Sequence, residues 1–256
     1  ATRWQRREDS RQMLTVLLDA HADAPAAVNE PGFDALDETG LTRLLDLYQP
    51  PAPDWLRINL IVSVSGSAAG PDGTSESLTN RTDRRILGVI RRQADLVVVG
   101  AASVRAEGYR IPATATLGIV TGTGDLAGHR IEASDTARLV VFCPAAAAAR
   151  VAETLPGCTV IDVADVDGRL DAAALLRAIR ATGARSIVCE GGPSLAAQLS
   201  AIGAVDEVCL TTSPMLTGTT LPSLGAAAFS PIALRPALLM TDEHGALYSR
   251  WFAIRD

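Results

Sequence analysis

The sequence predicts an α/β protein built on a mixed sheet, parallel in the centre and antiparallel at a C-terminal hairpin, with helices on both faces. Three observations carry that prediction. From residue 55 onward, apolar β-branched runs alternate with amphipathic helical patterns, the rhythm of a sheet buried on both sides. Two of the strand runs end in small residues, the second of them at the start of a helix: Leu96-Val97-Val98-Val99-Gly100-Ala101-Ala102-Ser103 and Ser186-Ile187-Val188-Cys189-Glu190-Gly191-Gly192-Pro193-Ser194-Leu195. The last two runs, 232–240 and 247–254, are separated by a His244-Gly245 turn, which reads as a hairpin.

In chain order, residues 1–54 are unlike the rest. An Arg-rich start precedes an apolar patch at 13–18, read as helical, and a second patch at 41–48; Pro50, Pro51 and Pro53 then stop the pattern. Residues 1–54 are therefore expected to be a helical N-terminal extension leaning on a main domain of residues 55–256, or a tail that pairs with another subunit. Strands are expected at 57–64, 96–99, 117–121, 139–143, 159–163, 186–189 and 207–212, ahead of the hairpin. Helices are expected at 80–93, 145–155, 171–182 and 193–202, the alanine run at 145–149 being helix-favouring rather than a low-complexity tail.

Composition narrows the class. The chain has 256 residues, 48% of them hydrophobic, enough for a substantial core. Its net charge of −6 argues against nucleic acid as the main partner. No apolar run approaches the roughly 18 to 20 residues that span a bilayer, and the N-terminus is polar, so a cytoplasmic protein with no membrane partner is expected. Cys143, Cys158, Cys189 and Cys209 contain no C-x-x-C pair and are read as reduced core thiols, with no metal. His21, His129 and His244 stand in polar or turn contexts and form no catalytic set.

The chemistry is expected at the two strand exits. After 186–189, Gly191 and Gly192 let the backbone turn, Pro193 suits a first helical position, and the helix N-terminus that follows offers unpaired N–H groups to a phosphate. An ordinary strand-to-helix turn uses the same glycines. The small residues after 96–99 leave room for a cofactor ring in the same crevice. Neither exit has the G-x-G-x-x-G spacing, which disfavours the common dinucleotide-binding fold.

Five motifs in order carry a resemblance: Asn59-x-x-x-Ser63-Val64-Ser65-Gly66, Gly73-x-Ser75, Asp83-Arg84-Arg85 through Arg91, Val99-Gly100-Ala101-x-Ser103, and Glu190-Gly191-Gly192-Pro193. Over residues 55–256 the chain resembles the pyrimidine reductase domain of riboflavin biosynthesis, which has the dihydrofolate reductase-like fold. The resemblance implies NADPH as cofactor, with Gly100, Ala101 and Ser103 near its nicotinamide half and Glu107 among the cofactor-binding residues. It places Gly191, Gly192, Pro193, Ser194 and Leu195 at the pyrophosphate, and Thr121 at the adenosine 2′-phosphate, with Thr123 a neighbouring candidate. It implies Glu190 facing a pyrimidine and assisting protonation, Asn59 positioning the substrate, Arg91 and Ser75 at a ribose phosphate, and a homodimer. The H-x-E and P-C-x-x-C signatures of the zinc deaminase found in bifunctional relatives are absent.

Departures from the family pattern fall on the substrate side. Asn59 stands where a lysine is usual, Ser-Val-Ser-Gly replaces S-L-D-G, and Ala106-Glu107-Gly108-Tyr109-Arg110 replaces D-x-P-x-L-T-x-R, with Glu107 and Arg110 as the replacement acid and base. The expected reaction is reduction of 5-amino-6-(5-phosphoribosylamino)uracil. The alternatives are a dihydrofolate or other pterin acceptor, and a non-catalytic NADPH-binding sensor or structural partner.

Overall fold

The structure is a computed structural model that describes residues 12–20, 32–166, 169–218, 221–225 and 229–255. His21 and the Arg-rich start lie outside the described residues. In chain order the elements are β1 (Met13–Asp19), β2 (Phe33–Asp34), α1 (Glu38–Leu47), β3 (Trp55–Ser63), α2 (Arg81–Arg92), β4 (Leu96–Gly100), α3 (Ala101–Glu107) and β5 (Thr116–Val120). There follow β6 (Leu139–Cys143), α4 (Ala148–Thr154), β7 (Thr159–Asp162), β8 (Asp165–Val166), β9 (Arg169–Leu170), α5 (Ala172–Ala181) and β10 (Ser186–Cys189). The chain closes with α6 (Pro193–Ala201), β11 (Glu207–Ser213), β12 (Leu234–Asp242) and β13 (Leu247–Ala253).

Eleven strands form one sheet in the order β2-β1-β12-β13-β11-β3-β10-β4-β5-β6-β7. From β11 to β7 every neighbour is parallel. From β11 back to β2 every neighbour is antiparallel. Strand periodicity sorts the core into two layers. Val97 and Val99 of β4 pack with Ile86, Val89 and Ile90 of α2 on one face, while Leu96 and Val98 pack with Leu175, Ile179 and Leu199 of α5 and α6 on the other.

The expected helical patch at 13–18 is instead strand β1. Leu14 and Val16 are buried while Leu17 is exposed, a period of two that fits a half-covered edge. β1 pairs with β12 and covers the outer edge of the C-terminal hairpin, while β13 lies between β12 and β11 and is hydrogen-bonded on both sides. Residues 247–253 are therefore an interior strand of the sheet. The 41–48 patch lies in α1, whose N-cap Asp37 accepts the Gly40 N–H at 2.6 Å. The sequence reading did not include α3, a short helix ended by Gly108 at φ +61°.

A buried charge cluster joins α1 to the sheet. Glu207 of β11 accepts from Arg57 Nε of β3 at 2.9 Å, Arg250 Nε of β13 at 2.6 Å and Trp55 Nε1 at 2.6 Å. The guanidiniums carry one more positive charge than the carboxylate neutralises. Arg57 donates its spare N–H to the Tyr48 carbonyl at 2.7 Å, and Arg250 donates to the carbonyls of Leu47 and Gln49, all at the C-terminal end of α1. That end carries the negative pole of the helix dipole and unpaired carbonyls, so it completes the cluster. Burial alone would raise the Glu207 pKa, but Arg57 and Arg250 outweigh it and hold the carboxyl below its ordinary value.

Glu207→Gln should leave two guanidiniums underneutralised in the core and cost about 3 to 5 kcal/mol, read as a lower denaturant midpoint at unchanged slope. Because the folded pKa of Glu207 is depressed, its contribution is present above the unfolded value and disappears as pH falls through the folded one. Wild-type stability should therefore drop on acidification below the usual carboxylate range, and the variant should lack that component of the drop.

Candidate active site

A cavity of about 800 Å³ lies between α2, the carboxyl-terminal half of β3, the turn after β10, and the link from α3 to β5. The volume suits a small-molecule or cofactor site, and the position is the expected one, outside the carboxyl ends of parallel strands. Asn59, Ser75, Arg91, Arg110 and Glu190, the expected substrate and catalytic residues, all line it. So do Ser103, Glu107, Gly191, Gly192 and Pro193 from the expected cofactor set.

Glu190 and Arg91, assigned by the resemblance to a pyrimidine and to a phosphate, are bonded to each other. Arg91 donates from Nε to Oε1 and from Nη2 to Oε2, each at 2.6 Å, in a bidentate pair. The Tyr109 hydroxyl donates to Oε2 as well, and the Arg91 guanidinium stacks 5.2 Å from the Tyr109 ring centre. Burial opposes the Arg91 charge, yet Glu190 outweighs it and raises the arginine pKa. Burial, reinforced by the Glu190 charge, holds the Tyr109 phenol well above its ordinary value. Tyr109 is thus a protonated donor throughout the physiological range.

The other substrate-side residues are more exposed. Ser75 donates to Glu107 Oε1 at 2.9 Å, which links a residue expected at the substrate to one expected at the cofactor. Arg110 is exposed on the cavity lining, and Arg130, also on the lining, has its guanidinium against the side of Gly108. Asn59 is half-buried on β3, paired in register with Cys209 of β11.

The β10 exit has the shape of a cradle. Gly191 adopts φ +107°, a backbone state that side chains rarely take, and its carbonyl accepts the Gly100 N–H at 2.9 Å. The two strand exits therefore touch. The Gly192 N–H donates to Ser103 Oγ at 3.3 Å, and Pro193 opens α6. A dinucleotide fits here in one respect the structure shows directly: Gly191 and Gly192 present bare backbone to the cavity, and added Cβ atoms would find no neighbour closer than 3.7 Å. Beneath the turn, burial pushes the Cys189 thiol up to about 12, so it is packing and not a nucleophile.

Five expected cofactor residues do not line the cavity. Leu195 is a core residue whose N–H returns to the Gly192 carbonyl at 3.0 Å. Gly225 donates to the Pro193 carbonyl at 2.8 Å and sits against the Ser194 backbone, covering the start of α6. Ala101 is buried under α3, whose N-cap is Gly100. Thr121 is buried and accepts the Gly124 N–H at 3.0 Å, closing a turn.

Sequence reading assigned no role to two residues of this wall. Tyr109 follows a glycine in a departure from the family pattern, and its partner lies 81 positions away, so no local spacing reveals it. Asp83 reads as an acidic residue in a helix first turn, a common preference there, and that hides its place on the cavity wall. Among the described residues, no group of three His, Cys, Asp or Glu side chains could hold a metal ion, and no helix is long and apolar enough to cross a membrane.

Solved structures share this arrangement of strands and helices. A pyrimidine reductase-like protein from Corynebacterium diphtheriae superposes with a TM-score of 0.68 at 22% identity, over 84% of this chain and 99% of that one. The riboflavin biosynthesis reductase Rib7 from Saccharomyces cerevisiae gives 0.62 at 13% identity, over 84% and 99%. The deaminase/reductase of Thermotoga maritima gives 0.62 at 17% identity over 78% of this chain, which spans 56% of that longer one. No curated protein matches the sequence. The family model described as the RibD C-terminal domain matches residues 54–245, which hold both strand exits and every cavity residue named above, and the chain belongs to that family.

Proposed function

We propose that the protein is an NADPH-dependent reductase of a pyrimidine substrate, acting on 5-amino-6-(5-phosphoribosylamino)uracil in riboflavin biosynthesis. The observation that carries this reading is co-location. Residues that the resemblance assigns to substrate (Asn59, Ser75, Arg91, Glu190) and to cofactor (Ser103, Gly191, Gly192) wall one cavity in a chain of the RibD C-terminal domain family.

The bound cofactor would supply a hydride to a C=N carbon. Gly191, Gly192 and Ser103 would hold its phosphates and nicotinamide half against the sheet, and the turn closed by Thr121 would meet its adenosine end. Asn59 has both a donor and an acceptor to orient a uracil edge. The Arg91–Glu190–Tyr109 assembly forms a rigid polar wall that fixes the acceptor relative to β3, and orientation of this kind is a major part of rate enhancement.

One observation favours a second acceptor class. Arg91, the expected phosphate anchor, is already paired bidentately with Glu190, which suits an acceptor without a phosphate such as dihydrofolate or another pterin.

The deciding measurement is oxidation of NADPH with the ribosylaminopyrimidine and dihydrofolate offered in parallel and NADH as control. Turnover of the first is the expected result. Turnover of dihydrofolate alone would establish the second acceptor, and NADPH binding without oxidation by either would overturn catalysis in favour of a sensor or structural partner. If Arg91 releases Glu190 to bind the ribose phosphate, Arg91→Ala should raise the KM for the phosphorylated acceptor at least ten-fold, the equivalent of roughly 1.5 kcal/mol or more. An unchanged KM would assign Arg91 to the wall alone.

A further inference from the structure

The cavity contains a second interior carboxyl. Asp83 lies in the first turn of α2, faces the cavity together with Asn59 and Thr79, and is only partly buried, so one side of it is reachable from the cavity. Its environment contrasts with that of Glu190. Glu190 is committed to a guanidinium and a phenol. Asp83 Oδ2 accepts the neutral Thr79 hydroxyl at 2.6 Å, and Thr211 of β11 is its other hydrogen-bonding neighbour.

The charged and titratable groups around Asp83 leave that contrast intact. Arg84, next in the helix, is bonded to Glu76 at the surface, and the two oppose each other in their effect on Asp83. Behind the helix start, Tyr248 of β13 donates to Asp242 of β12 at 2.7 Å, so that pair is satisfied internally. On the cavity side, Arg91 lies two helical turns on and is held by Glu190. Desolvation is the largest influence, and it raises the Asp83 pKa.

The position is rigidly supported. Asn80 caps α2 by accepting the Asp83 N–H at 2.8 Å, and its amide donates to Asp242 Oδ2 and to the Tyr248 hydroxyl, each at 2.9 Å. Asp242 Oδ1 in turn accepts the N–H groups of His244 and Ala246 at 2.9 Å each. The hairpin turn, the helix cap and the carboxyl thus form one hydrogen-bonded unit.

We propose that Asp83, and not Glu190, is the catalytic acid that protonates the acceptor nitrogen. The inference rests on the reductase reading above. Reduction of a C=N bond needs a proton as well as a hydride. The carbon accepts the hydride from a reduced nicotinamide, the π electron pair moves to nitrogen, and that nitrogen takes the proton from Asp83. With Oδ2 receiving the Thr79 hydroxyl, Oδ1 carries the acid proton. The products are the amine, the oxidised nicotinamide and an Asp83 carboxylate, which water at the cavity mouth reprotonates.

The test is the pH dependence of NADPH oxidation by wild type, Asp83→Asn and Asp83→Glu, with NADPH affinity measured alongside as a check on folding. Because the acid form is required, wild-type kcat should fall as pH rises through a value above the ordinary aspartate range. Asp83→Asn should lose about 100-fold or more in kcat and show no such limb, at unchanged NADPH affinity. Asp83→Glu should recover part of the rate and the limb. Asp83→Asn turnover within two-fold of an active wild type, or a limb that survives in it, would overturn the proposal while leaving the reductase reading standing. If Asp83→Asn fails to bind NADPH, the wild-type profile and Asp83→Glu decide: a flat profile, or a rate unaffected by the longer acid, overturns the proposal. A wild type that oxidises NADPH with neither acceptor would instead overturn the reductase reading, and this inference with it.

Discussion

The register between β3 and β11 is the constraint on which the site depends, and the buried Arg57–Glu207–Arg250 cluster marks it. Glu207 lies opposite Arg57, and along the same two strands Cys209 lies opposite Asn59 and Thr211 opposite Ile61. Strand side chains alternate, so Arg57, Asn59, Glu207 and Thr211 share one face. A slip of one residue would separate Glu207 from Arg57 and turn Asn59 and Thr211 toward the wrong layer. The charge cluster and the cavity are two stretches of a single register, one at the α1 end of the strands and one at their carboxyl ends.

The same logic explains what the N-terminal segment does. A cluster of two guanidiniums and one carboxylate is incomplete in a core, and the carbonyls at 47–49 complete it. β1 meanwhile closes the edge of the C-terminal hairpin through its pairing with β12. Residues that precede the family domain in sequence are therefore part of its sheet. The hairpin they protect holds Asn80, the cap of the helix that carries Asp83 and Arg91.

The cavity wall divides its polar groups by how they are satisfied. Glu190, Arg91 and Tyr109 satisfy one another in a charge-assisted network, which makes the wall rigid. Asp83 is held by neutral donors, and desolvation favours its protonated form. Two carboxyls in unlike surroundings are the usual basis for separating structural from acid–base roles. Directly after Glu190, the glycine turn offers backbone without side chains.

Much of this was legible in the sequence because it depends on local pattern. Apolar runs and turn residues located the strands of the large sheet from β3 onward and the helices α2, α5 and α6, and small residues marked both strand exits, since such signals need only neighbouring positions. The motifs also located Asn59, Ser75, Arg91, Glu190 and the glycine turn of the cavity wall. Tertiary structure decided the rest, for reasons of distance. Residues 13–18 suit either period until β12 supplies an edge. Leu195 and Thr121 belong to the expected cofactor set, yet Leu195 is packed in the core and Thr121 closes a turn away from the cavity wall. Above all, Arg91 and Glu190 lie 99 positions apart, and only the folded sheet makes them one ion pair. Local sequence records which conformation a segment prefers, whereas the partner of a charge is set by long-range packing that no short window contains.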